Sequence, residues 1–212
     1  NLIFVAIPAQ YLRSILAMFV SHLRTDTTIV ICTKGIEIET GALMSEVLYE
    51  QNLRNIAVLS GPTFAYEVAK GQPSAVTLAC PDRKLGKDIA GIVGGTSFRP
   101  YLSEDIIGVQ IGGAVKNVMA IAAGVAIGRG LGENARSAIV TRGFAEMVRL
   151  ALAKGAKFET LAGLSGLGDL MLTCSSKQSR NFSLGVALGE GKELSKYIND
   201  RKSVAEGVTS TT

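Results

Sequence analysis

Residues Gly108 to Gly132, GVQIGGAVKNVMAIAAGVAIGRGLG, form the segment that most restricts what this chain can become. It is almost wholly small and apolar and long enough for several helical turns, and over Ile106 to Gly128 only Gln110, Lys116 and Asn117 are strongly polar. A segment of that kind has to be buried, either in a protein core or in a bilayer. A bilayer is disfavoured, because a mid-span lysine costs about 2.5–3.5 kcal/mol on insertion scales. The glycines argue for a core helix against which a cofactor or a neighbouring backbone comes close. A lysine in such a place needs a reason. Desolvation favours its neutral form, and that makes it useful as an acid or base near neutral pH. The alternative is a lysine that snorkels out of the core along its aliphatic stem.

The preceding hundred residues read differently. Leu2 to Ile7, Thr28 to Thr33, Ile56 to Ser60 and Ala75 to Ala79 are short continuous apolar runs, the pattern of strands buried on both faces. Phe98 to Leu102 is a fifth such run, weakened by Pro100. Helical spacing lies between them, at Gln10 to Leu23 and Gly41 to Gln51. Thr63 and Asp82 stand where helix N-caps are expected. This alternation predicts an α/β layer with a mainly parallel sheet. From Ile106 onward no strand is expected. Helices are predicted over Ile106–Gly128 and Glu133–Lys154, then a turn at Phe158–Leu161, a Gly-rich loop over Leu164–Gly168, and helical pieces over Arg180–Gly189 and Leu194–Asn199. The fold class expected is therefore an incomplete Rossmann-like α/β domain over 1–105 followed by an all-α domain over 106–212.

Composition excludes several functions. The net charge of +4 comes from scattered Lys and Arg, which suits small anionic substrates and gives no nucleic-acid stripe. The 3 cysteines, Cys32, Cys80 and Cys174, have neither zinc nor disulfide spacing, and they fit a reducing cytoplasm. With 1 histidine, His22, an H-E-x-x-H site is impossible. His22 lies among polar residues and reads as a surface group. The chain opens on NLIFVAIP, already a buried strand and unlike a signal peptide. We expect at least one further element upstream.

Four places could carry chemistry. Lys34 follows a buried strand at its carboxyl end, where ligands bind in open parallel sheets. Gly61-Pro62-Thr63-Phe64-Ala65 breaks a strand into a helix start and bares backbone N–H groups. Lys116 is the third. The fourth joins Asp169, in GLGDL, to Ser179-Arg180-Asn181, where Ser179 can cap a helix and Arg180 can fork onto a phosphate. Each also has a plain structural reading as a loop lysine, a tight turn or an ordinary cap. GRGLG at 128–132 is not a dinucleotide fingerprint, since it follows a helix. GEGK at 189–192 is not a P-loop, since Val186 stands where its first glycine belongs.

Together KG at 34–35, SGPTFAYEVAKGQPSA at 60–75, GGAVKNVMAIAAG at 112–124, GLGDLMLT at 166–173, QSRN at 178–181 and AEG at 205–207 resemble the bacterial-type NAD(P)-dependent glycerol-3-phosphate dehydrogenases. Order and spacing fit along essentially the whole chain. The resemblance implies an oxidoreductase that interconverts dihydroxyacetone phosphate and sn-glycerol 3-phosphate, with NAD or NADP as cofactor, and feeds phospholipid synthesis in the cytoplasm. It implies that Lys116 moves the proton and that Lys34 touches both substrate and cofactor. It places Gly61, Thr63, Asp169, Ser179, Arg180 and Asn181 on the substrate, with Thr63 where many relatives carry Ser. It places Ala65, Arg180, Val204 and Glu206 on the cofactor, and it suggests a homodimer through the helical domain. No metal and no membrane span are expected.

The family begins with a strand, a G-x-G-x-x-G turn and a helix that have no counterpart in these 212 residues, and it continues beyond Gly207 with more helix. These 212 residues alone are therefore expected not to hold the cofactor normally, and the choice between NAD and NADP lies upstream. The nearest rival is a lysine-dependent dehydrogenase of the β-hydroxyacid or 6-phosphogluconate type. Ser179-Arg180-Asn181 ahead of a helix suits a phosphate ester better than a free carboxylate. A non-catalytic binding or membrane-anchored protein is the rival from another class.

Overall fold

The computed structural model describes residues 1–195 and 197. Five strands form one sheet in the order β1 (Leu2–Val5), β2 (Thr28–Ile31), β3 (Ile56–Ser60), β4 (Ser74–Ala79) and β5 (Phe98–Ser103). The β1–β2, β2–β3 and β4–β5 pairings are parallel, and β3–β4 is antiparallel. The sheet is thus mainly parallel, as expected. The reversal comes after Gly61-Pro62, where the connection holds only the five-residue helix α3 (Ala65–Ala69). Pro100 is tolerated because β5 is an edge strand, where a missing N–H leaves no inner ladder bond unmade.

Both faces of the sheet are covered. One carries α1 (Leu12–Phe19) and α2 (Met44–Glu50), whose Leu12, Leu16, Met44 and Leu48 pack with Ile29, Ile31 and Ile56. The other carries α4 (Arg83–Val93), whose Ile89 meets Val30, Ala57 and Leu78. Asp82 caps α4 as expected, accepting from the Lys84 and Leu85 amides at 2.8 and 3.1 Å. Thr63 does not cap α3. Phe64 occupies that position and no side chain caps the helix, which leaves the Thr63 hydroxyl free for other partners. His22 is exposed, Cys80 and Cys174 are buried, and Cys32 is half-buried.

After Ser103 the described residues contain no strand. Helix α5 (Ile106–Gly128, 23 residues) runs through the middle of α6 (Gly132–Ala153), α7 (Phe158–Leu161), α8 (Asp169–Ser175) and α9 (Arg180–Gly189). Among the described residues it is the one helix long and apolar enough to cross a membrane, yet it is packed inside the protein as a core helix. Asp105 caps it, accepting from the Gly108 amide at 2.8 Å and, through its other oxygen, from the Lys157 amide at 2.8 Å. Gln110 is satisfied by Ser45 of α2, accepting from the Ser45 amide at 2.9 Å and donating to its hydroxyl at 2.8 Å. That exchange also ties the helical half to the sheet half.

The glycines of α5 serve its neighbours. A β-carbon at Gly124 would sit 2.2 Å from the Phe182 carbonyl oxygen, and one at Gly128 would sit 2.2 Å from that of Val186. In return, β-carbons at Gly185 and Gly189 of α9 would sit 2.1 and 2.5 Å from the Ile121 and Val125 carbonyl oxygens. The two helices interlock by backbone contact, which only glycine permits at these points.

Candidate active site

The Gly-rich segment after α7 was expected to be a loop, with Asp169 in it. Residues Leu164–Gly168 instead form a single wide helical turn, and Asp169 opens α8. The turn lies directly on α5. A β-carbon at Gly112 would meet the Ser165 carbonyl oxygen at 2.4 Å, and one at Gly166 would meet that of Leu161 at 2.0 Å. These close approaches lay α8 along α5 and bury Asp169 to 1 % exposure against Lys116.

Asp169 then holds two ammonium groups. Lys116 Nζ donates to Oδ1 at 2.5 Å and Lys34 Nζ to Oδ2 at 2.7 Å. Thr173, one turn along α8, accepts from Lys116 at 3.1 Å and donates to Asp169 Oδ1 at 3.2 Å. Lys34 reaches this point past Gly113, where a β-carbon would lie 3.4 Å from its Cγ. Three segments far apart in sequence thus meet at one carboxylate. Thr173 was not singled out from the sequence. Its signal was present in the i, i+4 spacing from Asp169, which becomes informative only once GLGDL is known to start a helix.

Burial pushes the Lys116 ammonium down to about 8, with Lys34 repelling it in the same direction and Asp169 opposing both. An amine in that range can give or take a proton near neutral pH. Two cations on one anion leave the centre positive, which favours an anionic ligand.

The ammonium of Lys116 borders a cleft of about 670 Å³, within the size range of small-molecule sites. Its sheet-side wall holds Ala6, Cys32 and Lys34, beyond the carboxyl ends of β1 and β2, and Thr63 to Tyr66 flank them. Its opposite wall holds Gln178 to Asn181. Ser179 Oγ accepts from the Phe182 amide at 3.2 Å and caps α9, as the sequence suggested. Arg180 is exposed at the first position of that helix. Gln178 reaches across to donate to Glu67 of α3 at 3.0 Å. The cleft therefore gathers Lys34, Lys116, Thr63, Ala65, Ser179, Arg180 and Asn181, with Asp169 beneath the two lysines. Gly61 does not line it. A β-carbon there would lie 2.8 Å from Val76 Cα, so its place is to let β3 end flush against β4. Val204 and Glu206 lie outside the described residues.

The walls fit part of a nicotinamide dinucleotide. Ala6 and Ala65 leave room over the strand ends, at the crevice where open parallel sheets receive such groups. No residue here supplies the glycine-rich pyrophosphate turn. Among the described residues no cluster of three metal-ligating side chains exists.

Residues 1–86 match the family profile described as NAD-dependent glycerol-3-phosphate dehydrogenase N-terminus, and 105–212 match that described as its C-terminus. A glycerol-3-phosphate dehydrogenase (NAD(P)+) from Hyphomonas neptunium is 53% identical over 207 residues, which covers 97% of this chain and 62% of that protein. One from Rhodospirillum rubrum is 56% identical over 210 residues, covering 97% and 59%. The crystal structure of glycerol-3-phosphate dehydrogenase from Coxiella burnetii superposes with a TM-score of 0.96 at 40% identity, covering 99% of this chain and 65% of that one. The chain spans about three fifths of the length of the curated relatives it matches. With both halves of the profile matched in order along the chain, the protein belongs to the NAD-dependent glycerol-3-phosphate dehydrogenase family.

Proposed function

We propose that this chain carries the substrate side and the proton-transfer centre of a glycerol-3-phosphate dehydrogenase, interconverting dihydroxyacetone phosphate and sn-glycerol 3-phosphate with NAD or NADP. The observation that carries the reading is the shared carboxylate. Asp169 clamps Lys34 and Lys116 at the base of a cleft whose far wall ends in Ser179-Arg180-Asn181. A ketone phosphate has two ends that such a cleft can treat differently. Residues 1–105 serve as the cofactor-binding unit and 106–212 as the substrate-binding unit.

The bound dinucleotide supplies hydride chemistry at carbon. The chain does the rest. Arg180 and the start of α9 hold the phosphate, so binding energy remote from the carbonyl fixes the reacting carbon. Lys116 gives its proton to the carbonyl oxygen in reduction and takes it from the hydroxyl in oxidation. Lys34 stands over the same oxygen as a second cation, favouring negative charge as it develops there. Asp169 and Thr173 keep the Lys116 side chain aimed. Thr63 and Ala65 face substrate and cofactor from the sheet side. Val204 and Glu206 complete the cofactor pocket by the family pattern. The same pattern suggests a cytoplasmic enzyme supplying glycerol 3-phosphate for phospholipid synthesis, assembled as a homodimer through its helical half.

The test is oxidation of NADH or NADPH with dihydroxyacetone phosphate by the full-length protein, alongside a 3-oxo acid without phosphate. Turnover with the phosphate ester is expected. Preference for the free acid would overturn the reading in favour of the β-hydroxyacid class.

A further inference from the structure

Lys34 sits on the irregular connection between β2 and α2, where a long side chain would ordinarily wander. The connection is fastened in several independent ways. The Gln10 side-chain amide donates to the Ile36 carbonyl at 2.8 Å and accepts from the Ile38 amide at 3.0 Å, so one side chain grips the backbone two and four residues beyond Lys34. Arg13, one turn further along that region, forks onto Glu37 with bonds of 2.9 and 2.8 Å. Glu37 is 7 % exposed, and the Arg13 guanidinium holds its carboxyl below the usual carboxylate range. Just before both anchor points, Gly35 has φ of 149° and would place a β-carbon 2.7 Å from Ala9 Cβ. The backbone beside Lys34 is thus pressed onto Ala9 in a conformation other residues rarely adopt.

None of these residues borders the reacting cleft. All of them bear on the one segment that delivers Lys34 to Asp169. We propose that Gln10, backed by the Arg13–Glu37 fork, is the positioning residue for Lys34: it holds the loop in the register that keeps the Lys34 ammonium on Asp169 Oδ2. A displacement of about 1 Å at a catalytic group can lower turnover by up to about a hundredfold. A brace of this kind therefore affects the reaction without touching substrate.

The kinetic readout rests on the dehydrogenase reading above; the structural readout does not. Gln10→Ala and Gln10→Glu are made in the full-length protein, alone and with Lys34→Ala. Gln10→Glu keeps an acceptor for the Ile38 amide and removes the donor to Ile36, so it also serves if the alanine variant does not fold. With Lys34 present, either change should lower kcat/KM for dihydroxyacetone phosphate about tenfold; with Lys34 already removed, the further loss should be under about twofold, because residues acting through one group are not additive. A crystal structure of the variant should show Lys34 Nζ beyond about 3.5 Å from Asp169 Oδ2, outside hydrogen-bond range. An unchanged kcat/KM, a full loss on the Lys34→Ala background, or an unmoved Lys34 would each overturn the brace. A wild-type protein inactive on dihydroxyacetone phosphate would overturn the functional reading, while the Lys34–Asp169 distance would still decide the brace.

Discussion

Lys116 and Asp169 are 53 residues apart in sequence and meet at 2.5 Å, both more than nine-tenths buried. A buried ammonium facing a buried carboxylate is normally a structural pair. Here the carboxylate is shared with Lys34, so attraction does not cancel the penalty of burial, and Lys116 is left easy to deprotonate. The proposed proton transfer and its expected pH dependence rest on that imbalance.

With Lys116 pushed down to about 8, the two reaction directions should respond oppositely to pH. Oxidation of glycerol 3-phosphate needs the neutral amine and should rise as pH passes through about 8. Reduction of dihydroxyacetone phosphate needs the ammonium and should fall there. The check is kcat/KM against pH in both directions. Parallel profiles would remove Lys116 from the proton step.

Lys116→Met should reduce turnover by roughly 10²–10⁴-fold, the usual worth of a placed acid–base group. Substrate should still bind, measured by its quenching of cofactor fluorescence or by calorimetry. The same variant has a stability signature. Between about 8 and the usual 10.5 the unfolded chain holds a proton that the folded one has lost, so this lysine's contribution to stability rises with pH across that window and is least favourable below it. The full rise corresponds to about 3 kcal/mol at 1.36 kcal/mol per pKa unit. Urea midpoints at pH 7 and 10 should show the rise in wild type and its loss in Lys116→Met.

Asp169→Asn leaves two cations facing a neutral amide. Breaking a buried pair by removing one partner costs about 3–5 kcal/mol, and the low end is expected because Lys116 can shed its proton. Losing the carboxylate also removes the attraction that opposes burial, so the midpoint of any remaining oxidation should move to lower pH. A midpoint moving upward would contradict the assignment.

Gly185→Ala tests the α5–α9 interlock. Its β-carbon would lie 2.1 Å from the Ile121 carbonyl oxygen, a backbone atom that cannot turn aside. Overpacking of this kind typically costs about 1–3 kcal/mol. Because α9 carries Arg180 at its start, KM for dihydroxyacetone phosphate should rise as well, readable from steady-state rates on whatever protein folds.

Arg180→Lys keeps the charge and loses the planar fork. A bidentate phosphate contact is not reproduced by an ammonium. KM for the phosphate substrate should rise by about tenfold, roughly one charge-assisted hydrogen bond, with a smaller change in kcat. A drop confined to kcat would place Arg180 on the reacting end instead.

Much of this was legible in the sequence because it is local. Short continuous apolar runs marked β1 to β5 and period-3.6 patterns the long helices, and Asp82 and Ser179 could be named as caps from their residue type and position. Lys116 stood out because a charge in a run of alanine, valine and glycine is chemically conspicuous. The Gly-rich turn before Asp169 was read as a loop, since glycines carry no apolar period. Thr173 was missed for the same reason, as its partner is one helical turn away on a helix that had not been recognised. Thr63 has the residue type of a cap, but Phe64 occupies that position.

Sequence alone determined the layered α/β half, the helical half that follows and the family, because apolar runs, the helical period and short motifs are properties of neighbouring residues. It also identified Lys34, Lys116 and Asp169 as chemically suggestive, each on its own. Only the tertiary structure decided that they share one carboxylate. That meeting depends on glycines at 112, 113 and 166 whose missing side chains let backbones and the Lys34 stem pass within contact distance of α5 or α7. It also decided how Lys34 is held, through Gln10 and the Arg13–Glu37 fork. The bonds of Arg13 to Glu37 and of Lys34 to Asp169 span 24 and 135 positions of sequence, and no periodicity records them.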